Sequence, residues 1–409
     1  MEEILMIKVV DSIMGSGKTS AALEMMNNDW ENNYIYITPY LDEVQRIKRN
    51  STNKFYEPKV HSRDGQVLFK QEAFHQLLKE KKNVVSTHSL FSMSNEETKE
   101  LIYSNDYILI LDEVMDVVKQ VELKEHDLES LTLLGFIQVD DKTGLITWSH
   151  DKQEKSTAYD YIKSLCQNES LYMYSSNIFM WTFPVHVFDS FKEIYILTYL
   201  FDAQIQRYYY DFNNLEYEYY YATKENDRYI FKNGASDDEI MKDELRRLIN
   251  IYEGNLNKIG DANYSLSKSW YGKRKDSLTV LKNNTENYFK NKVKAKSSYI
   301  IWTTYKMHEN DVKGRGYSKS FIPLNLRATN DYKERKYLAY TVNLFMLPIV
   351  KGFFKSQGIR TNEDLYTISE LLQWIWRSGI REHNEINIYL PSQRMRKLLY
   401  AWLNDENIG

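Results

Sequence analysis

One stretch of the 409-residue chain carries the residue types for phosphate chemistry: Lys8-Val9-Val10-Asp11-Ser12-Ile13-Met14-Gly15-Ser16-Gly17-Lys18-Thr19. Gly15 and Gly17 let a loop adopt positive φ and turn its N–H groups onto an anion, with Ser16 between them. Lys18 follows with an ammonium for the β- and γ-phosphates of ATP, and Thr19 with a hydroxyl for Mg²⁺. The usual pattern, G-x-x-x-x-G-K-[ST], opens on glycine, whereas here Ser12 holds that place. Serine is small, and the loop entrance makes modest steric demands.

A second constellation lies downstream. Ile108-Leu109-Ile110-Leu111 reads as a buried strand, and Asp112 and Glu113 follow it. Two adjacent carboxylates at a strand end are costly unless a cation pairs with them. Asp112 is therefore the expected Mg²⁺ ligand, directly or through water, and Glu113 the group that orients and activates the water attacking the γ-phosphate. A third set, Gln373, Arg377 and Arg381, is spaced i, i+4, i+8, which on a helix is one face. Such a face is either a salt-bridged surface or a source of guanidinium for a γ-phosphate.

The elements that must position these groups are legible as alternating patterns. The lead-in Leu5–Val10 is apolar and β-prone, and Ser20–Met26 reads as the helix after the loop. Further strands are expected at 34–38, in Asn83-Val84-Val85-Ser86-Thr87, at 107–112 and in Glu193–Thr198, alternating with helical patterns as in a parallel sheet with crossover helices. Ligands in such sheets bind beyond the carboxyl ends of the strands. Thr38, Thr87, His88, Asp112 and Glu113 all fall at such ends. An insertion at about 117–190 looks mostly helical, with a hairpin turning at Lys142-Thr143-Gly144. The tyrosine-dense run from Tyr208 reads as a pair of strands opening a second domain, with a base-stacking platform as the alternative.

Composition bounds the class. The 43% hydrophobic and 27% charged residues suit folded cores under a charged surface, and one cysteine, Cys166, excludes an intramolecular disulfide framework. No apolar run reaches the length of a membrane span, and the N-terminus is unlike a secretory signal. Net charge is −4, but it is unevenly spread: residues 1–200 hold 20 Lys and Arg against 31 Asp and Glu, and residues 251–350 hold 18 against 8. An acidic half followed by a basic half suits a motor with one nucleic-acid-binding face, or plain solvated surface.

In order and wording these motifs resemble superfamily 2 (DEAD-like) helicases. Their first motif often reads A-x-T-G-x-G-K-T, close to Ser12-Ile13-Met14-Gly15-Ser16-Gly17-Lys18-Thr19. "ITPYLDEVQRI", "STHSLF", "LILDEV", "ILTYLFDAQ" and "QWIWRSGIR" resemble the motifs that follow. The long stretches "FIPLNLRATNDYKERKYLAYTVNLFMLP" and "LLQWIWRSGIREHNEINIYLPSQRMRKLL" resemble replication-associated DEAD-like helicases of bacteriophages and related mobile elements.

The resemblance implies two RecA-like α/β domains in tandem, about 1–205 and 206–409, with ATP and Mg²⁺ between them. It assigns Gln373 to positioning water, Arg377 and Arg381 to the γ-phosphate, and Thr198 to coupling the site to movement. Nucleic acid, with single-stranded or forked DNA favoured and RNA open, would meet Thr38, Pro39, Thr87 and His88 on one side. On the other it would meet Lys268, Lys273, Arg274, Lys275 and Arg327. Replication proteins are further expected partners, and the host cytoplasm the expected location. The spacing of Arg381, eight residues from Gln373 rather than seven, departs from the family's last motif. A packaging motor of the terminase type and a nucleotide-gated interaction protein are the alternatives.

Overall fold

The computed structural model describes residues 6–63, 66–123, 125–149, 159–175, 178–273, 275–324 and 331–409. Two compact units emerge: one comprises residues up to 12, 16–236 and 347–361, the other 13–15, 237–346 and 362–409.

The first unit is built on eight strands: β1 Met6–Asp11, β2 Asn33–Thr38, β3 Phe55–Tyr56, β4 Asn83–Thr87, β5 Tyr107–Asp112, β6 Glu193–Thr198, β7 Tyr217–Glu225 and β8 Arg228–Asn233. Their order is β8-β7-β1-β6-β5-β2-β4-β3, and every pairing is parallel except β7 with β8. A parallel sheet covered on both faces needs strands that are apolar throughout. Val9, Val10, Ile35, Ile37, Leu109, Ile110, Ile196 and Leu197 satisfy this and are fully buried. Register then aligns the strand ends: Asp11 pairs with Thr198, Leu197 with Asp112, and Thr38 with Thr87. Asp11, Thr38, Thr87, Asp112 and Thr198 are thus brought to the carboxyl ends of one sheet's strands.

The tyrosine-rich run departs from expectation in two ways. Tyr208, Tyr209 and Tyr210 are buried in a helix, Ile205–Phe212. The strands that follow are the expected pair, β7 and β8, but they do not open the second unit. β7 pairs with β1 and extends the first sheet, so this unit runs to Ser236 rather than ending near 205. Between β5 and β6 the chain carries helices Glu125–Leu133, Asp160–Gln167 and Val185–Phe188. It also forms an antiparallel sheet of Val118–Val121, Ile178–Thr182 and Leu171–Ser175. The expected hairpin is present, with Ile146–Trp148 on Ile137–Val139 and Gly144 at φ 75° in its turn.

A helix drawn from far along the chain, Pro348–Ser356, completes the first unit. Its buried Phe353 meets Tyr172 and Tyr174 edge-on at 6.1 and 6.4 Å and Phe212 at 5.5 Å, while Phe354 lies 5.8 Å from Tyr208. Gly352 leaves room for the Tyr174 hydroxyl, which a Cβ, 2.2 Å away, would push aside.

The second unit holds four parallel strands, β9 Ile249–Ile251, β10 Ile300–Thr303, β11 Tyr337–Tyr340 and β12 Ile386–Tyr389, in the order β9-β12-β11-β10. Its core is aromatic: Tyr288 stacks on Tyr389 at 5.1 Å, and Trp302 meets Tyr317 edge-on at 5.1 Å. The expected final strand and helix are β12 and Gln393–Leu403. No helix among the described residues is long and apolar enough to cross a membrane.

Truncating Phe353 to Ala should leave a cavity among Tyr172, Tyr174 and Phe212. We expect a loss of about 3–5 kcal/mol in urea denaturation; a loss below about 1 kcal/mol would show that this helix is not an integral layer of the first unit.

Candidate nucleotide-binding site

β1 delivers the chain to the loop at Asp11, and the helix Lys18–Asn27 (α1) takes it away. Gly15 and Gly17 have φ of 89° and 91°. A Cβ at Gly17 would also lie 2.2 Å from Cε1 of Tyr229 on β8 and push that ring aside. Gly17 is the N-cap of α1, with no side-chain cap and no acidic residue in the first turn. The first turn of α1 therefore adds no carboxylate of its own to the positive end of the helix dipole, which suits an anion there. The Ser16 hydroxyl is buried without a hydrogen-bond partner, an orphan that a phosphate oxygen would satisfy. The loop thus suits a phosphate, which Ser16, Gly17, Lys18 and Thr19 would hold.

The serine at the loop entrance has a structural reason. The Ser12 hydroxyl accepts the Ala222 N–H of β7 at 2.9 Å. Its own N–H donates to the Thr198 carbonyl at 3.1 Å, and its carbonyl accepts Lys18 Nζ at 2.5 Å. Glycine would leave the Ala222 N–H buried and unpaired.

Asp11 holds the other side of the entrance. Its carboxylate accepts the N–H groups of Leu200 and Phe201 at 2.8 and 2.9 Å. Burial raises the Asp11 carboxyl to about 6 against the opposing pull of those two N–H groups and of Lys18. The available signal was an acid ending an otherwise apolar strand, the same signal that marks Asp112.

At the end of β5, burial pushes the Asp112 carboxyl up to about 7, with the Glu113 and Glu43 charges adding to the rise. A divalent cation would compensate such a buried carboxylate, and carboxylate and hydroxyl oxygens such as those of Asp112 and Thr19 are the donor type that Mg²⁺ takes. Glu113 has φ of 65°, a left-handed backbone that a side-chain-bearing residue seldom adopts. Its N–H is fixed on the Leu197 carbonyl at 2.9 Å. Two residues on, the Met115 N–H donates to Oε1 of the fully buried Gln206 at 3.0 Å. The segment from Leu197 to Gln206 therefore touches both the phosphate loop and the acidic loop. Thr198 lies within it, fully buried, with an unpartnered hydroxyl.

The remaining candidates are placed as follows. Thr38 is fully buried with an unpartnered hydroxyl, so it is not a surface contact for nucleic acid. Pro39 and Thr87 are half-buried. His88 turns inward, with Nε2 3.0 Å from the Asp112 carbonyl oxygen. Gln373, Arg377 and Arg381 do not share one helix. The helix Glu363–Ile375 ends after Gln373, and Arg381 sits on a separate turn, Gly379–Glu382, capped by Ser378. Arg377 is buried, and its guanidinium donates to the Pro323 and Leu324 carbonyls at 3.3 Å. Arg381 is exposed and Gln373 half-buried. Lys268 and Lys273 are exposed, and Lys275 begins the helix Lys275–Asn287. Arg274 and Arg327 lie outside the described residues.

The architecture is a two-domain α/β fold of the kind seen in XPD structures. The chain matches an apo XPD structure at a TM-score of 0.50 and 10% identity, covering 98% of this chain and 96% of that one. It matches Xpd4 of S. tokodaii at a TM-score of 0.50 and 9% identity, covering 99% and 94%. At such identities the likeness is one of fold. The chain belongs to the YonV family. It is 48% identical to the SPbeta prophage-derived uncharacterized protein YonV of Bacillus subtilis (strain 168), over 98% of this chain and 99% of that protein. Residues 118–181 match the model of the YonV middle domain, and residues 243–403 that of the YonV C-terminal Rossmann-like domain.

Two outcomes test this geometry. Ser12→Gly should leave the Ala222 N–H unpaired at a cost of about 1–3 kcal/mol, read as a lower melting temperature together with weaker nucleotide binding. The second concerns pH. Burial keeps a proton on Asp112 in the folded protein up to about pH 7, whereas the unfolded chain releases it near the ordinary 3.8. Stability therefore falls as pH rises through that window, and the loss is complete above it. Asp112→Asn removes the effect, so its melting temperature in chelator should match the parent's near pH 4 and exceed it by a few degrees at pH 8. A gap that does not widen with pH would refute the burial of this carboxylate.

Proposed function

We propose that this chain is a nucleic-acid-dependent ATPase that translocates along or unwinds nucleic acid, in the DNA replication of a phage or mobile element. The observation that carries the reading is the convergence at one sheet edge of a helix N-terminus preceded by Gly-Ser-Gly and two carboxylates. The segment Leu197–Gln206 is bonded to both loops. The XPD-like fold and the prophage origin of the YonV relative support it.

Each residue has a definable task. Lys18 and the N-terminal N–H groups of α1 bind the phosphates, and Thr19 and Asp112 hold Mg²⁺. Bound Mg²⁺ supplies neutralisation of phosphate charge. Glu113, fixed by its left-handed backbone, orients the attacking water and takes its proton on a carboxylate oxygen. Thr198, on the segment that meets both loops, relays their movement. Arg381 is the guanidinium available to stabilise the charge that develops on the γ-phosphate, because Arg377 is engaged by the carbonyls of 323 and 324. Gln373 positions water. Lys268 and Lys273 meet the phosphates of a single strand, chiefly without regard to sequence.

The test is ATPase rate with no nucleic acid, single-stranded DNA, duplex DNA and RNA, followed by strand displacement. Lys18→Ala should lower turnover about a hundredfold or more while the melting temperature holds. Glu113→Gln should keep Mg-ATP binding and lose about 10²–10⁴ in turnover. Loss of binding as well would make Glu113 structural. Arg381→Ala should depress the stimulated rate by about 10³ without rescue by Lys, because an ammonium lacks the planar fork. Arg377→Ala should instead lower stability. An Arg381→Ala enzyme with full stimulation would remove Arg381 from the mechanism.

A further inference from the structure

Residues 261–267 of the second unit are held in a shape that a free chain would not choose. Leu266 is fully buried with φ of 64°, a conformation that leucine rarely adopts. The fully buried Asn343 holds it there: its N–H donates to the Leu266 carbonyl at 2.8 Å, and its side-chain amide donates to the carbonyls of Asn263 and Ser265 at 2.9 and 3.2 Å. Arg394 in turn donates to Asn343 Oδ1 at 3.2 Å and to the Leu344 carbonyl at 2.6 Å. Asp364 anchors that guanidinium at 2.5 Å, and it lies 4.4 Å over the Phe345 ring.

This network serves none of the nucleotide-site residues. What it fixes is Tyr264, whose ring is 73% exposed yet sits 5.9 Å from the Phe345 ring. Beside Tyr264 opens a cavity of about 510 Å³ lined also by Trp270, Lys273, Asn263, Ser269 and Ser277. An aromatic ring displayed to solvent on a rigid loop loses little freedom on stacking against a flat ligand. The lining adds a cation and uncharged hydroxyl and amide groups, which suit a phosphate and base edges of any identity. Charge selects the occupant: the cavity lies in the stretch 251–350, with 18 basic residues against 8 acidic, and Lys268 adds a second exposed cation.

We propose that this cavity takes an unpaired base of a single-stranded nucleic acid, stacked on Tyr264 and Trp270, with Lys273 on the adjoining phosphate. The proposal rests on the nucleic-acid-dependent reading above, and it adds a grip on bases to one on the backbone.

The experiment is fluorescence anisotropy of the full-length protein with labelled oligothymidylate, oligouridylate and an abasic backbone of the same length. Tyr264→Ala, Tyr264→Phe and Lys273→Ala are compared with the parent, and each is checked for an unchanged melting temperature. Tyr264→Ala should weaken binding of the base-bearing strands about 5- to 100-fold and leave the abasic strand unaffected. Tyr264→Phe should keep parental affinity, because it keeps the ring. Lys273→Ala should weaken all three and reduce the salt slope by about one. If Tyr264→Ala binds every strand as the parent does, or loses the abasic strand equally, the base pocket is wrong while the nucleic-acid reading stands. If the parent binds none of the strands, both fall together.

Discussion

Everything at the candidate site depends on how β1 ends. β1 lies between β6 and β7, so its last residues have a parallel neighbour on either hand. Asp11 reaches the turn beyond β6 through two backbone N–H groups, and Ser12 reaches β7 through one. Between them, these two side chains fasten both sides of the entrance to the phosphate loop. A loop whose entrance is bonded on two sides can present its amide groups to an anion without being reorganised by it. The serine in place of glycine belongs to this fastening. With a hydrogen-bonding neighbour on β7, the entrance needs a hydroxyl more than it needs backbone freedom.

The same edge of the sheet gathers groups whose local needs are unmet. Asp11 and Asp112 hold their protons well above the ordinary carboxylate range because burial disfavours their charge. The hydroxyls of Ser16, Thr38 and Thr198 are buried without partners. These are needs that a charged ligand and a cation would meet. Sites of this kind trade stability for function. The left-handed Glu113 adds backbone strain to the same account.

Much of this was legible in the sequence, for identifiable reasons. The phosphate loop is local: strand, glycines, lysine, threonine and helix follow within twenty residues, and each has its own propensity. β2, β4, β5 and β6 announced themselves as apolar β-prone runs ending in polar groups. The limits of the first unit did not, because β7 and β8 carry the pattern that would open a new domain, and only their pairing with β1 shows otherwise. The shared face of Gln373, Arg377 and Arg381 failed at a stop signal that was present, Ser378-Gly379, where Ser378 caps a new turn. The Asn343 network was beyond reach. It joins residues 80 positions apart to an arginine 51 positions further on, and no local pattern reports such contacts.

The helix Pro348–Ser356 has a consequence for the order in which this protein can be made. Its aromatic face is the cover for Tyr172, Tyr208 and Phe212, residues that leave the ribosome more than a hundred positions earlier. During synthesis the first unit must wait, with that aromatic surface bare, until most of the second unit has emerged. An unfinished sticky surface of this kind invites association with other nascent chains. A fragment cut at the apparent domain border would keep the surface bare permanently. A self-sufficient first unit therefore has to be assembled from two pieces of chain, residues up to 236 together with 347–361.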